Sequence, residues 1–319
     1  MIEIFARSPG MREAISLAER VSRTDSNVLI TGESGSGKDV IASFIHAKSM
    51  RAARPFVKID CATLPGALLE AELFGYERGA FTGANEAKPG RFEAAGKGTV
   101  VLDEIAHLST DAQAKLLRVI EEREFERLGG RKTIKLDARL IALTNVDLDS
   151  AVRLRRFRED LFYRLNVIHI TVPPLRERKE DLSKLIQYFV KLYATKHGRK
   201  VERVAPPALK LLQSYEYPGN ARELSNIIER AVIVAMGKSI EEEDLPSGVS
   251  AAVNAQRQKE EPLSLAQMEA AYIAQMLAAT RGNKTECARI LGISRKNLYE
   301  KIARYELVTR ILAKNTDSF

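Results

Sequence analysis

Seven residues constrain this chain more than any others. Gly32-Glu33-Ser34-Gly35-Ser36-Gly37-Lys38 follow the short apolar run Val28-Leu29-Ile30 and lead into Val40, Ile41, Phe44 and Ile45, which recur at helical spacing. A strand, a glycine-rich turn, a lysine and a helix in that order form a phosphate-binding loop. The glycines let backbone N–H groups close around phosphate oxygens, and the helix N-terminus adds a favourable dipole. Lys38 then reaches the β- and γ-phosphates. An ordinary Gly/Ser turn is the alternative, and the combination of strand, lysine and helix disfavours it. Asp39 departs from the general pattern, in which a Ser or Thr at that place touches magnesium.

A second apolar strand, Val100-Val101-Leu102, ends in Asp103 and Glu104 some 65 residues on. This fits a Walker B motif. Asp103 would hold Mg2+ directly or through water, and Glu104 would orient and deprotonate an attacking water. An acidic strand end facing solvent is the competing reading, weakened by the phosphate loop. Leu143-Thr144-Asn145 ends a further strand, where Thr144 or Asn145 would sense a γ-phosphate; turn chemistry explains Asn145 almost as well.

Further strands are expected at 56–60, 99–102, 139–143 and 167–171, with helical spacing between several of them. The helix at 111–122 begins after Thr110 with Gln113 three residues on, a capping-box signature. Short apolar strands alternating with helices predict an α/β fold with a mostly parallel sheet covered on both faces. After Pro173-Pro174 the spacing predicts helices over 181–196, 207–214 and 221–236 and no convincing strand. Residues 241–262 turn polar and read as a linker. A last helical block runs from Leu263 to about Leu307.

The 319 residues suit two or three domains. Apolar residues make up 45% and charged residues 29%, too much apolar content for a disordered chain. The longest apolar run, 231–236, is far short of the ~18–20 residues of a membrane span, and the N-terminus lacks the pattern of a signal peptide. Cys61 and Cys287 lie far apart without neighbouring ligands, which excludes a disulfide scaffold and a Cys-based zinc site and fits a reducing, cytoplasmic setting. The net charge of +8 permits a polyanionic partner.

Glu72-Leu73-Phe74-Gly75-Tyr76-Glu77-Arg78 runs into Gly79-Ala80-Phe81-Thr82-Gly83-Ala84. Read physically, this is a Gly-flanked loop with an aromatic at its tip, or a loop whose Phe81 is buried. GAFTGA preceded by ELFGYE closely resembles the signature of the bacterial sigma-54-dependent transcription activators, AAA+ ATPases of the enhancer-binding (NtrC) family. The resemblance extends over nearly the whole chain through GESGSGKD, GTVVLDEI, FREDLFYRLNV, PPLRER, YPGNARELSN and a C-terminal block similar to the Fis-type helix-turn-helix.

The resemblance implies roles at matching positions. Gly79, Ala80, Phe81, Thr82, Gly83 and Ala84 would form the loop that engages sigma-54, with Phe81 and Thr82 at the contact. Arg158 and Arg164 match the arginine-finger region, from which a neighbouring subunit would neutralise charge on the γ-phosphate. A pair of surface arginines against Glu159 and Asp160 is the structural alternative. Arg222 corresponds to the sensor on a helical lid, and Asn220 before it would cap that helix. Glu126-Arg127-Leu128-Gly129-Gly130 resembles a second, shorter loop beside GAFTGA, though turn formation explains its glycines equally well. Many family members carry Asn where Asp60 stands, a residue thought to hold the catalytic Glu away from water. Asp60 would instead set a carboxylate near Glu104, where like charges raise one pKa or demand a bridging cation or water. Asp39 agrees with the family, in which an acidic residue commonly follows the phosphate-loop lysine.

In the C-terminal block, Lys284 opens a helix that ends at Gly292-Ile293-Ser294, and a second helix starts at Arg295. Ala288, Leu291, Ile293, Leu298 and Ile302 would form the seam and Ser294 the cap. Lys284, Ser294, Arg295, Lys296, Asn297, Tyr299 and Lys301 are the candidate DNA-contacting residues, since a recognition helix sets its first residues against base edges. From Ser264 onward nine lysines and arginines face five acids. A soluble helical hairpin with a basic face is the alternative. The preceding helix, 265–279, would dimerise in this family, or pack within the unit.

The expected organisation is an AAA+ α/β subdomain (1–172), a helical lid (173–240), a linker (241–263) and a Fis-type helix-turn-helix domain (264–319). The implied function is sigma-54-dependent activation. The chain would bind upstream DNA, assemble into a homo-oligomeric ring (hexameric in this family), hydrolyse ATP with Mg2+, and use GAFTGA to remodel the sigma-54 RNA polymerase promoter complex. A nucleotide-regulated DNA-binding repressor without productive hydrolysis is the alternative; an AAA+ motor on DNA or replication factors is a third, disfavoured by GAFTGA. The phosphate loop starts at residue 32, so no receiver or ligand-sensing domain is expected before it. Control by a separate regulatory protein, or a longer parent chain, would follow.

Overall fold

Alternate residues of five short strands enter two separate apolar layers, and this alternation builds the α/β part of the molecule. The strands of the computed structural model are β1 (Val28–Thr31), β2 (Phe56–Asp60), β3 (Thr99–Asp103), β4 (Arg139–Thr144) and β5 (Ile168–Thr171), each within a residue of the expected limits. All pair parallel, in the order β2-β3-β4-β1-β5. Leu29, Val100, Leu102, Leu140 and Ala142 enter one core, while Val28, Ile30, Val101, Ile141 and Leu143 enter the other. Side chains alternate across a sheet with period two, so near-continuous apolar runs supply both faces.

The structure describes residues 4–260, 264–280 and 282–305. Helices α1 (Pro9–Ser22) and α2 (Lys38–Ala47) cover one face of the sheet through Met11, Ala18, Ile41 and Ile45. The other face is covered by α3 (Gly66–Phe74), α4 (Arg91–Ala95), α5 (Thr110–Glu122), α6 (Leu148–Arg153) and α7 (Glu159–Leu165). The expected capping box on α5 is corrected: Ser109 is the N-cap and accepts from the Ala112 amide at 3.2 Å. The buried Gln113 amide donates instead to the Leu108 and Arg156 carbonyls, because two unpaired buried carbonyls outweigh a local cap.

A helical lid follows, made of α8 (Lys179–Lys196), α9 (Pro206–Ser214) and α10 (Asn220–Val234). It also contains a two-residue parallel ribbon, Arg203–Val204 against Ser239–Ile240, where no strand was expected; two residues are too few to impose a period on a sequence. The polar stretch read as a linker forms a short 3-10 turn, Glu242–Asp244, and then α11 (Ser247–Glu260). Polarity misled here, since Ala, Gln, Glu, Lys and Arg are good helix formers, and Val249 and Val253, four residues apart, are buried.

The chain divides into two compact units, Met1–Ala251 and Ala252–Phe319. The second contains α12 (Leu265–Ala279), α13 (Lys284–Leu291) and α14 (Arg295–Arg304) around Ile273, Leu277, Cys287, Ala288, Leu298 and Ile302. Leu263 and Leu307, the expected ends of this helical block, lie outside the described residues, as do Arg281, Glu306, Arg310, Lys314 and Asp317 of the charge count. Among the described residues no helix is long and apolar enough to cross a membrane.

Candidate active site

Strand order decides where the chemistry collects. The chain leaves β1 for the far edge of the sheet and returns through β2, β3 and β4, so the carboxyl ends of β1, β3 and β4 lie together where open α/β folds bind ligands. A cleft of about 420 Å³ opens there, lined by Ser34, Gly35, Gly37, Lys38, Asp39, Asp60, Asp103, Glu104 and Arg222. A larger cavity of about 620 Å³ lies in the lid between α8 and α9; it contains none of the sequence-predicted site residues and is not the catalytic centre.

The loop after β1 is held from all sides. The Gly32 amide donates to the Thr144 carbonyl at 3.3 Å, tying the loop to β4. Lys38 folds back to donate to the Gly32 and Glu33 carbonyls at 2.8 and 3.2 Å. Burial pushes its pKa down, and Glu104, Asp103 and Asp39 oppose that shift. Ser36 is buried, and its carbonyl accepts from the buried Arg178 at 2.6 Å. Gly35 is required by the approach of the lid: a Cβ there would lie 2.4 Å from the Gly219 carbonyl oxygen, at a backbone φ of +72°.

Glu104 follows β3 in a left-handed conformation, φ +52°, which costs a non-glycine residue energy and recurs at functional sites. Its Oε2 accepts from the Asn145 amide at 3.2 Å, so Asn145 acts on Glu104 through its backbone. Thr144 is fully buried and its hydroxyl accepts from the Val146 amide at 3.0 Å. Asp103 uses Oδ1 to accept from the Glu104 amide at 3.0 Å and Oδ2 to pair with Lys58 at 2.8 Å. Lys58 also pairs with Asp39. The two carboxylates hold its pKa above the ordinary lysine range, although burial, the largest single influence, pulls the other way. Asp60 lines the same cleft as Glu104, and its Oδ1 closes a local turn on the Ala62 amide at 2.9 Å, the conformation a short acidic side chain favours at a strand end.

The lid reaches this loop through four side chains, Arg176, Arg178, Asn220 and Arg222, of which only Arg222 carried a site assignment from sequence. Arg176 pairs with both oxygens of Glu33, at 2.6 and 2.8 Å, and with Asn220 it holds the Glu33 pKa down at about 2. Asn220 is fully buried at φ +56°; its Nδ2 donates to Glu33 Oε2 and to the Ser34 carbonyl, both at 3.0 Å, and its Oδ1 accepts from the Leu175 amide at 2.7 Å. The expected cap at Asn220 is therefore corrected: Gly219 is the N-cap residue, and Asn220 spends its amide on the phosphate loop. Arg222 donates to the Ser34 hydroxyl at 3.1 Å. The only advance signal for this latch was the presence of both stretches, PPLRER and YPGNARELSN, in one chain.

Arg158 and Arg164 do not line the cleft. Arg158 forks onto Asp160 at 2.8 and 3.0 Å, and Arg164 meets Glu121 at 3.0 Å, both on the exposed surface. The 79–84 loop projects with Phe81 41% exposed and packed edge-on to Tyr76, so its burial in the core is excluded. Thr82 is exposed and Ala84 buried; the Gly79 amide closes the turn on the Ala84 carbonyl at 2.9 Å. Gly129 of the shorter loop sits against it, where a Cβ would lie 3.0 Å from that of Ala80.

In the second unit, Ser294 caps α14 by accepting from the Asn297 amide at 3.2 Å, and Arg295, Lys296, Asn297 and Tyr299 are exposed. Lys284 lies over the Tyr299 ring at 4.9 Å. Lys301 is turned onto Glu269 at 2.7 Å, a contact between α14 and α12.

A phosphate loop, an acidic strand end and a lid closing on them define an ATPase of the AAA+ class, here with a helix-turn-helix unit. Family models agree in chain order: the Sigma-54 interaction domain over residues 4–171, the AAA+ ATPase lid domain over 176–262, and the Bacterial regulatory protein, Fis family, over 264–305. The chain belongs to the sigma-54-dependent transcriptional activators. Regulatory protein AtoC of Escherichia coli (strain K12) is 46% identical over 310 residues, which is 95% of this chain and 67% of that protein. Transcriptional regulatory protein ZraR of Klebsiella oxytoca is 46% identical over 299 residues, 93% of this chain and 68% of that protein. The crystal structure of NtrX from Brucella abortus in complex with ADP matches with a TM-score of 0.72 at 34% identity, covering 96% of this chain and 69% of that one.

Proposed function

We propose that this activator hydrolyses ATP between subunits of a homo-oligomeric ring and transmits the energy through the 79–84 loop to sigma-54 polymerase at a promoter. The observation that carries the reading is the meeting of Lys38, Asp103, Glu104 and the Asn145 amide in one cleft under Arg222. NtrX has been solved with ADP and with ATP, which supports a nucleotide in the corresponding cleft. Asp103 and Asp39 suit Mg2+, which takes one or two carboxylates together with phosphates and water, and a cation, the Lys58 ammonium, already sits on both. Bound there, Mg2+ would neutralise charge on the β- and γ-phosphates.

Glu104 orients a water whose oxygen forms the new bond to the γ-phosphorus. The bond from that phosphorus to the bridging oxygen of ADP breaks, and the water proton passes to Glu104. Lys38 leaves its own loop carbonyls for the phosphates. Arg158 and Arg164, outside their own cleft, serve the neighbouring subunit's γ-phosphate. Arg222 and Ser34 report nucleotide to the lid. Phe81 and Thr82 meet sigma-54. Arg295, Lys296 and Asn297 at the start of α14 face DNA, with Lys284 and Tyr299 beside them; Lys301 contributes by holding α14 on α12. The exposed Leu265, Met268 and Tyr272 on α12 form the pairing face of a DNA-binding dimer in the cytoplasm.

The test is ATP-dependent open-complex formation by purified sigma-54 polymerase with the native chain and with Glu104→Ala. Activity present in the first and lost in the second is expected. Hydrolysis by the native chain without opening would reject sigma-54 polymerase as the partner.

A further inference from the structure

Lys58 belongs to none of the motifs, yet it makes the closest ionic contacts in the cleft. It lies on β2, where its register partner is Val101 and that of Asp60 is Asp103. From there its ammonium reaches Asp103 Oδ2 at 2.8 Å and pairs with Asp39 on the other side. Asp103 Oδ1 accepts from the Glu104 amide, so each oxygen of this carboxylate already has a partner. The Asp103 side chain is only 15% exposed, and two carboxylates facing one another there repel unless a cation stands between them. Lys38 does not fill that role, since it is spent on its own loop. A divalent cation drawn to the same two carboxylates meets the ammonium at close range, and the like charges repel.

We propose that Lys58 is a tethered counter-cation of the metal site, which screens Asp103 and Asp39 from each other and must be displaced before Mg2+ loads. It is a positioning residue, and the inference rests on the nucleotide–magnesium reading above. Its consequence is a raised magnesium requirement.

The test follows a fluorescent ATP analogue binding to the full chain while MgCl2 is titrated, in the native protein, Lys58→Met, Lys58→Gln and Lys58→Arg. Removing the partly exposed ammonium from both carboxylates lowers the half-effective Mg2+ concentration about fivefold in the Met and Gln variants; Arg keeps the native demand. Mn2+ binding to the nucleotide-free chain, read by electron paramagnetic resonance, tightens in the same two variants. An unchanged or higher metal requirement in a folded Met or Gln variant overturns the proposal. A native chain whose nucleotide binding ignores Mg2+ overturns the reading of the site beneath it.

Discussion

Asn220→Ala should release the lid from the phosphate loop, and its cost can be worked from three contacts. Truncation leaves the Leu175 amide, now 2.7 Å from Asn220 Oδ1, without an acceptor in a buried place. A stranded buried donor costs about 1–3 kcal/mol. Alanine must also hold φ +56°, which Asn tolerates through its short polar side chain; the added strain is about 1 kcal/mol. The Ser34 carbonyl and Glu33 Oε2 lose a donor at 3.0 Å each but are only partly buried, so water replaces part of the loss. The sum is about 3 kcal/mol for the closed latch. Asn220→Gly removes the same hydrogen bonds without the strain and should cost about 1 kcal/mol less. Amide hydrogen exchange of the full chain, resolved at Leu175 and across residues 32–38, reads the opening directly. Protection should fall at both segments in Asn220→Ala, and less in Asn220→Gly. A loss under about 1 kcal/mol, or a glycine variant no better protected than alanine, would refute the reasoning.

Two further outcomes follow from the same surfaces. Glu33 has its pKa held down at about 2, chiefly by Arg176, from 4.5, so its contribution is complete above about pH 4.5 and is lost as pH falls through 2. Thermal melts of native chain and Glu33→Gln should therefore differ by a constant amount above pH 4.5 and converge below it; a gap that widens on acidification contradicts the ion pair. Arg158 and Arg164 meet Asp160 and Glu121 outside their own cleft, so Arg164→Ala or Arg158→Ala subunits should lose roughly 10³-fold in hydrolysis. Mixing either with Lys38→Ala subunits should restore part of the rate, and a mixture no faster than its components would place the arginines' role within one chain.

What could be read in advance was what repeats or what is local. Val28-Leu29-Ile30 and Val100-Val101-Leu102 are buried on both sides of the sheet, so their strands announce themselves as unbroken apolar runs. The phosphate loop is seven consecutive residues. Contacts between distant residues left no such trace. Lys58 carried no assignment beyond the strand it lies on, because nothing local marks the Asp39 and Asp103 that meet it. Asn220 looked like a cap because Asn before a helix usually is one; its partners lie 45 and 187 residues away. The α5 cap failed by one residue for a similar reason, since Gln113 answers to Arg156 and Arg158 on the next elements. Residues 247–260 were misread because hydrophobic content was used in place of helix propensity.

These long-range contacts also change how the cleft works as a machine. The loop that holds phosphate is bound to the lid at Glu33 by Arg176 and Asn220, at Ser34 by Asn220 and Arg222, and at Ser36 by Arg178. Neither loop nor lid can therefore change shape alone. A nucleotide that draws Lys38 from the Gly32 and Glu33 carbonyls alters the same short backbone that the lid grips from α10 through Asn220 and Arg222. On the opposite side Glu104 is strained and held by the Asn145 amide at the end of β4, the strand that also holds Gly32. On the proposed mechanism, coupling between hydrolysis and movement thus needs no extended relay: Glu104 and the phosphate loop are held by adjacent residues of one strand end, the loop is bonded directly to the lid, and discrete contacts of this kind have two arrangements, not a continuum.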